Sequence, residues 1–511
     1  MQYAYKNIAT NFAIMKGMEN IEKQRYITTA IPYINGVPHI GTAYGYVLAD
    51  IWARYQKQNG NTVRFQIGTD EHGNKNAMKA AELGLTPQVY ADQAYQPFKA
   101  MAEKVGAGYT DFIRTTDEHH RGAVQYIWQQ LKPYIYKDTY EGWYCTGCEQ
   151  FYTNKEVEET AGKCPNHQTP YEHLSEENYY LKASEFTQQI REAIETDAME
   201  IFPKFRKKEI LELIKDGVKD VSISRPRKSL SWGVGVPDDP DQVVYVWIDA
   251  LSNYINVLGY PDNPDWKNFW PADVQVLGKD VIRFHAIIWP AILLGLGLQL
   301  PKKMLVHGFV NVAGSKISKS IGNAIDPNEI IDTYGLDAFR YYFSRHIPTQ
   351  DDGDFSWEKF ENAYNTELAN DLGNLVSRVA QMVTRYQAGV VGDAPQGEHD
   401  MQLYHESMEA LEFDKALDQV WVMVRSLNKY IDDVKPWVVA KQRDTDTDAD
   451  GHLTEILAHC VGNLLQISDL LTPFMPNSAQ IIQKLFETGL VTPLDSVMFP
   501  KILNHTAPSQ P

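Results

Sequence analysis

The sequence predicts an α/β protein: a parallel sheet of nucleotide-binding type, split by a small insertion and followed by a helical bundle. Three observations predict it. Near the N-terminus, strand-like, loop-like and helix-like segments alternate, which is how a parallel sheet with crossover helices begins. Around Tyr140 the character changes, and residues 141–170 are rich in Cys, Thr, Glu and Gly with little apolar periodicity. From Trp357 onward the pattern is almost wholly helical, with a break at 443–451.

In order, residues 1–24 read as an N-terminal extension. Arg25 to Ala30, rich in β-formers, reads as a short strand. Ile31 to Thr42 is a loop punctuated by Pro32, Gly36, Pro38 and Gly41. Ala43 to Asn59 reads as a helix whose apolar face carries Val47, Ile51, Ala53 and Tyr55. Val63 to Ile67 is a second strand, ending in Gly68-Thr69-Asp70-Glu71-His72-Gly73. Further strands are expected at Val243–Ile248, Val274–Leu277 and Met304–Val306. In parallel sheets ligands lie beyond the carboxyl ends of the strands, where the loops around His39 and Asp70 both fall. The chain thus divides into a first α/β half (25–137), an inserted module (138–225), a second α/β half (226–310), a connecting region (311–356) and a helical part (357–511).

Composition bounds the function. At roughly 100–200 residues per domain, 511 residues make about three or four units. Apolar residues at 43% and charged residues at 22% are an ordinary globular mixture, which excludes a disordered chain or a rod. The longest apolar stretch, Ala286 to Leu300, is broken by Pro290 and too short for a bilayer, so no membrane partner is expected. No basic region followed by an apolar core opens the chain, so no secretory signal is expected. A net charge of −18 argues against a generic basic nucleic-acid binder, but not against an enzyme with local basic patches. Four cysteines, three of them within 20 residues, do not make a disulfide framework; a reducing, cytoplasmic compartment fits them.

Cys145-x-x-Cys148 followed by Cys164-x-x-His167 has the ligand types and spacing of a closed, structural zinc knuckle. Pro38-His39-Ile40-Gly41-Thr42 suits a nucleotide: Gly41 lets a base or ribose approach the backbone, and His39 can donate to a phosphoryl oxygen. Lys316-Ile317-Ser318-Lys319-Ser320, after Gly314, places two lysines where they could clamp a polyphosphate. Singly, the last two signals are also what a solvated loop histidine and an exposed basic turn would give.

Together they are specific. His39-Ile40-Gly41-Thr42 and Lys316-Ile317-Ser318-Lys319-Ser320 resemble the paired HIGH and KMSKS signatures of class I aminoacyl-tRNA synthetases. The segments between resemble the methionyl-tRNA synthetase family: Thr28-Thr29-Ala30-Ile31-Pro32-Tyr33, Gly68 to Gly73, Tyr245-Val246-Trp247-Ile248-Asp249-Ala250-Leu251, Gly278-Lys279-Asp280, Phe284-His285 with Trp289-Pro290, and Lys435-Pro436-Trp437. The likeness runs from about residue 25 to about 475 with the motifs in family order. It departs twice: Thr42 replaces the second histidine of HIGH and Ile317 the methionine of KMSKS. Ile317 conserves volume. Thr42 offers a hydroxyl and no cation, which bears on phosphate stabilisation.

The resemblance implies a Rossmann-type class I synthetase catalytic domain split by a zinc-binding insertion, then an α-helical anticodon-binding bundle. It implies activation of methionine by ATP with Mg2+ to methionyl-adenylate and pyrophosphate, then transfer of methionine to the 3′ terminal adenosine of tRNA(Met). His39, Gly41, Thr42, Lys316 and Lys319 are then the catalytic set, and Gly278, Asp280 and Ser318 complete the ATP site. Asp70 is implied to hold the substrate ammonium, with Ala30, Ile31, Tyr33, Trp247, Ala250, Tyr254, Val281 and His285 forming the side-chain pocket. A thioether favours aromatic edges, which such a pocket supplies. Arg225 is expected to face the site. Asn374, Arg378 and Trp437 match positions that read the anticodon. Structural Zn2+ is implied as cofactor, and a monomer is expected.

Two competing readings are a synthetase-like RNA-binding protein that has lost activation, favoured only by Thr42, and a nucleotidyltransferase acting without RNA, disfavoured by the helical part. Asp446-x-Asp448-x-Asp450-Gly451 copies the start of a calcium loop but has Leu457 where a bidentate Glu is needed, and reads as a solvated acidic loop. Asp117-Glu118-His119-His120 reads as a structural turn. Gly233-x-Gly235 lacks the dinucleotide context.

Overall fold

The computed structural model describes residues 23–145, 150–165, 168–312, 315–316, 325–391, 394, 397, 400–443 and 446–502. Six strands form the central sheet: β1 (Gln24–Thr29), β2 (Thr62–Thr69), β3 (Asp111–Arg114), β4 (Glu200–Phe202), β5 (Val274–Gly278) and β6 (Lys303–His307). Their order is β3-β2-β1-β5-β6-β4, and every pair is parallel. Such a sheet must be covered on both faces, and Tyr26 to Thr29 are accordingly buried on both sides of β1. The edge strand β4 comes from inside 138–225, the stretch read as the insertion.

The first crossover helix runs Ile40–Gln58, three residues earlier than its apolar periodicity indicates. The earlier start comes from His39, whose ring accepts a hydrogen bond from the Gly41 N–H and caps the helix. The strand expected over Val243–Ile248 is a correction. Only Gln242–Val244 is extended, and a helix occupies Val246–Asn256. A short apolar run cannot separate the two by periodicity alone, and the helical spacing beyond Ile248 decides it. The turn expected at Asp117–His120 is a second correction: Asp117 is the residue preceding the helix Glu118–Leu131, and His120 is fully buried.

The insertion is built on a long antiparallel pair, Ile135–Cys145 with Glu172–Leu181, flanked by Gln150–Tyr152 and Val221–Ser222. Its short helix Asn154–Glu159 opens with a capping box, Thr153 and Glu156 each satisfying the other's backbone N–H. Beyond residue 357 long helices dominate, among them Asn374–Gln387, Phe413–Val434, Ala449–Leu471 and Pro476–Phe486. Phe413, Leu417, Val420, Trp421, Val424, Leu427 and Ile431 make one buried stripe at helical spacing. One apolar core runs without a break from Ile27 and Phe65 in the sheet, through Phe339 and Phe343, to Leu457 and Phe486 in the bundle.

A buried ion pair fastens the same junction. Arg340 Nη2 lies 2.7 Å from Asp50 Oδ2, both side chains almost wholly excluded from water. Asp50 also holds Arg54 at 2.6 Å and accepts from the Gly108 N–H at 2.7 Å. Arg340 donates onward to the carbonyls of Phe474 (2.8 Å), Pro473 (2.9 Å) and Val105 (3.0 Å). Among the described residues no helix is long and apolar enough to cross a membrane.

Candidate active site

The loops that leave β1 and β2 meet at the carboxyl edge of the sheet. The Ala30 N–H donates to Val276 O at 3.0 Å and the Asp70 N–H to Pro32 O at 2.9 Å. Tyr33 and Asp70 form a parallel bridge, so the aromatic ring and the carboxylate rise from neighbouring backbone. Asp70 is 4% exposed. Asn76 holds its loop by donating to the carbonyls of Asp70 (3.2 Å) and His72 (3.0 Å). Ile31 is half-buried beside Ala30.

The facing wall is the helix Val246–Asn256. Trp247 stacks on Phe284 with ring centroids 3.5 Å apart and planes 9° from parallel. Ala30, Val281 and Phe284 pack on the core that contains Tyr254, and Ala250 is buried on the same helix. The Tyr254 hydroxyl donates to His285 Nε2 at 2.6 Å, while His285 Nδ1 donates to Val281 O at 2.9 Å. A carbonyl can only accept, so the second contact fixes the tautomer. Phe284–Ile288 is a widened helical turn, the kind of irregularity that aims side chains at sites. Burial raises the Tyr254 phenol well above its ordinary value, and the charge of nearby Asp70 adds to the shift. The pocket residues implied by the resemblance are thus gathered around the ends of β1, β2 and β5.

Burial pulls the His285 imidazole down to about 4, although the Val281 carbonyl and the Asp280 charge oppose it. Its folded pKa is therefore depressed below the ordinary ~6.5. As pH falls from about 7 to about 5 the unfolded chain takes up a proton that the folded one refuses, so stability falls. Relative to His285→Asn, the wild-type protein should lose about 2 kcal/mol over that interval. Chemical unfolding of both proteins at the two pH values checks it, and equal losses would remove the assignment.

The residues of the two other turns singled out in the sequence lie at the same carboxyl edge, after β1 and after β5. His39 and Gly41 form the start of the helix Ile40–Gln58, and a Cβ on Gly41 would sit 3.0 Å from the His39 ring. The Thr42 N–H donates to His39 O at 2.9 Å. Gly278 ends β5, and a Cβ there would come within 2.7 Å of the Asp280 carboxylate. Sequence reasoning missed one residue here. His307, at the end of β6, is buried edge-on to Tyr44 with ring centroids 5.3 Å apart. Its ring also neighbours Gly45 and Gly278, its Nδ1 donates to Gly308 O at 2.9 Å, and burial lowers its pKa. The rule that picked out His39 and Asp70, a polar residue just past a parallel strand, would have found it. Lys316 lies on the strand Ser315–Lys316, paired with Val310–Val312; Ser318 and Lys319 lie outside the described residues.

Arg225 is buried in an ion pair with Glu176 at 2.6 Å and lies over the Tyr144 ring. Of the zinc set, Cys145 and Cys164 are fully buried together with Tyr171 in a small cluster of their own; Cys148 and His167 lie outside the described residues. Two thiols sequestered side by side in a small module fit a metal anchor, and three thiolates with one imidazole would close a tetrahedral sphere. On the helical part, Asn374 is exposed one turn from Arg378, whose guanidinium pairs with Asp432 at 2.8 Å. Trp437 is half-buried just past Lys435, which takes a left-handed conformation (φ 48°) and stops the preceding helix before Pro436.

A parallel sheet whose carboxyl edge carries a capping His39–Gly41 turn and the Gly278–Asp280 turn is the arrangement expected of a class I aminoacyl-tRNA synthetase. The family described as "tRNA synthetases class I (M)" matches residues 25–173 and 167–380. The chain is 42% identical over 482 residues to the methionine–tRNA ligase of Caldanaerobacter subterraneus subsp. tengcongensis, covering 91% of this chain and 74% of that one. It is 39% identical to the methionine–tRNA ligase of Thermotoga maritima over 89% of this chain and 74% of that one. Among solved structures, Mycobacterium tuberculosis methionyl-tRNA synthetase bound by methionyl-adenylate superposes with a TM-score of 0.87 at 33% identity, covering 94% of this chain and 100% of that one. The chain belongs to the methionine–tRNA ligase family.

Proposed function

We propose that this chain activates methionine with ATP and Mg2+ to methionyl-adenylate, releasing pyrophosphate, and passes the methionyl group to the 3′ terminal adenosine of tRNA(Met). The observation that carries it is the buried Asp70 bridged to Tyr33, opposite the Trp247, Ala250 and Tyr254 wall. That is one anion in an otherwise aromatic and apolar pocket, the complement of an amino acid with an ammonium and a thioether. The substrate carboxylate attacks the α-phosphorus, so the protein needs no nucleophile, and catalysis is positioning and charge stabilisation. Asp70 holds the ammonium; Ala30, Ile31, Tyr33, Val281 and His285 complete the pocket. Asp280 and the Gly278 backbone take the ribose. His39, Gly41, Thr42, Lys316, Ser318 and Lys319 are assigned to the triphosphate by their motifs. ATP–pyrophosphate exchange across the twenty amino acids tests the reading: exchange dependent on methionine supports it, and none with any amino acid sinks it.

Asn374, Arg378 and Trp437 read the anticodon in this account. Trp437→Ala should lower tRNA charging at least tenfold, as loss of a base-stacking platform does, while leaving exchange intact. A parallel fall in both steps would make Trp437 a packing residue instead. Zinc held by Cys145, Cys148, Cys164 and His167 would fix the insertion and supply no chemistry to the reaction. Cys145→Ser should release one equivalent of zinc, read by elemental analysis; unchanged metal content would refute the knuckle. We read the protein as cytoplasmic, which its sparse cysteines support, and as a monomer.

A further inference from the structure

Behind the amino-acid pocket a carboxylate and two imidazoles are sealed from water. Asp249 Oδ2 accepts from His72 Nδ1 at 2.6 Å, and Oδ1 accepts from His120 Nε2 at 2.8 Å. All three side chains are at most 2% exposed. The Asn256 amide donates to His120 Nδ1 at 3.2 Å, which leaves the His120 proton on Nε2, aimed at Asp249. Burial alone would push the Asp249 carboxyl up, but the two imidazoles outweigh it and hold the pKa at about 2.

The three residues come from the elements that build the pocket. His72 lies two residues past Asp70, on the loop that Asn76 holds at both carbonyls. Asp249 sits in the first turn of the helix Val246–Asn256, between Trp247 and Ala250 and five residues before Tyr254. His120 reaches them from the outer helix Glu118–Leu131. The Trp232 ring closes the far side, edge-on to His72 at 5.2 Å, and donates to Glu71 O at 2.7 Å. None of the nucleotide-facing residues His39, Gly41, Gly278 or Asp280 belongs to these elements.

We propose that Asp249 is a positioning residue for methionine: clasped by His72 and His120, it sets the separation between the Asp70 loop and the Trp247 wall, and so sets affinity for the amino acid. The proposal deepens the functional reading above and rests on it. An amide removes the charge that strengthens both contacts, and keeps both only if His72 moves its proton to Nε2 and accepts at Nδ1. Asn at position 72 can stand in for histidine, since its side-chain N–H occupies nearly the place of Nδ1.

Exchange kinetics on wild type, Asp249→Asn, His72→Ala, His72→Asn and His120→Gln test this. Asp249→Asn and His72→Ala should raise KM for methionine about tenfold, as loss of a buried charge-assisted hydrogen bond does. KM for ATP should stay within about twofold, because none of the residues read as holding the nucleotide lies on the elements the cluster joins. His72→Asn and His120→Gln should stay close to wild type in both. A merely structural cluster would lower the active fraction, and hence kcat, without separating the two KM values. Unchanged methionine KM in His72→Ala, a parallel rise in both KM values, or failure of His72→Asn to rescue would overturn the proposal. If Asp249→Asn does not fold, the His72→Ala and His72→Asn pair decides alone. Wild-type protein without methionine-dependent exchange would instead remove the functional reading beneath.

Discussion

Asp70→Ala should abolish most methionine activation while leaving the fold intact. A buried charge left without its partner costs about 3–5 kcal/mol, which corresponds to a fall of about three orders of magnitude in kcat/KM for methionine. The loss should be this large because Asp70 is 4% exposed, so water cannot take over the ammonium when the carboxylate is gone. Asp70→Asn keeps the shape and an acceptor oxygen and should fall between the two. KM for ATP should move less, since Asp70 is not among the residues read as holding the nucleotide. Steady-state pyrophosphate exchange measures all three, and an Asp70→Ala enzyme within about tenfold of wild type would rule out direct contact with the ammonium.

The second large effect is on stability. Arg340→Met should destabilise the protein by about 3–5 kcal/mol, the usual cost of breaking a buried, fully hydrogen-bonded pair. Burial lowers the pKa of this guanidinium, and Asp50 opposes the shift, so charge survives there only because a partner waits. Removing it strands the carbonyls of Val105, Pro473 and Phe474 as well as loosening Asp50. Arg340→Lys restores the charge but not the planar fork, so it should recover only part of the loss. A lowered midpoint of thermal unfolding, with the lysine variant between, is the expected result. An unchanged midpoint for Arg340→Met would show that the joint is held by apolar packing alone.

Where local signals and tertiary structure agree, the sequence was readable. The loops at His39 and Asp70 stood out because Pro and Gly punctuate them after β-forming runs, and the helical part beyond Trp357 because apolar stripes such as that of Phe413–Val434 recur through it. What could not be read was whatever depends on a distant partner. Asp117-Glu118-His119-His120 reads as a structural turn until Asp249 is seen opposite His120. Nothing local in the sequence marks Asp50 as the buried partner of Arg340, 290 positions away. Val243–Ile248 misled for a different reason, because a six-residue apolar run satisfies strand and helix alike. The parts of the site carried by Ser318, Lys319, Cys148 and His167 rest on motif alone.

The unbroken core shared by sheet and bundle limits how the chain can be dissected. A fragment ending at residue 356 would leave Tyr341, Phe343 and Phe355, all buried in that core, facing water. A bundle expressed alone would expose the surface around Trp421, whose ring lies 4.4 Å from that of Tyr341. Neither half would be expected to stay in solution by itself, since each would present a contiguous apolar patch that invites aggregation. Within the insertion, the described residues of 141–171 have their own small cluster around Cys145, Cys164 and Tyr171 and contribute nothing to that core. It is the segment whose exchange between relatives would disturb the rest least.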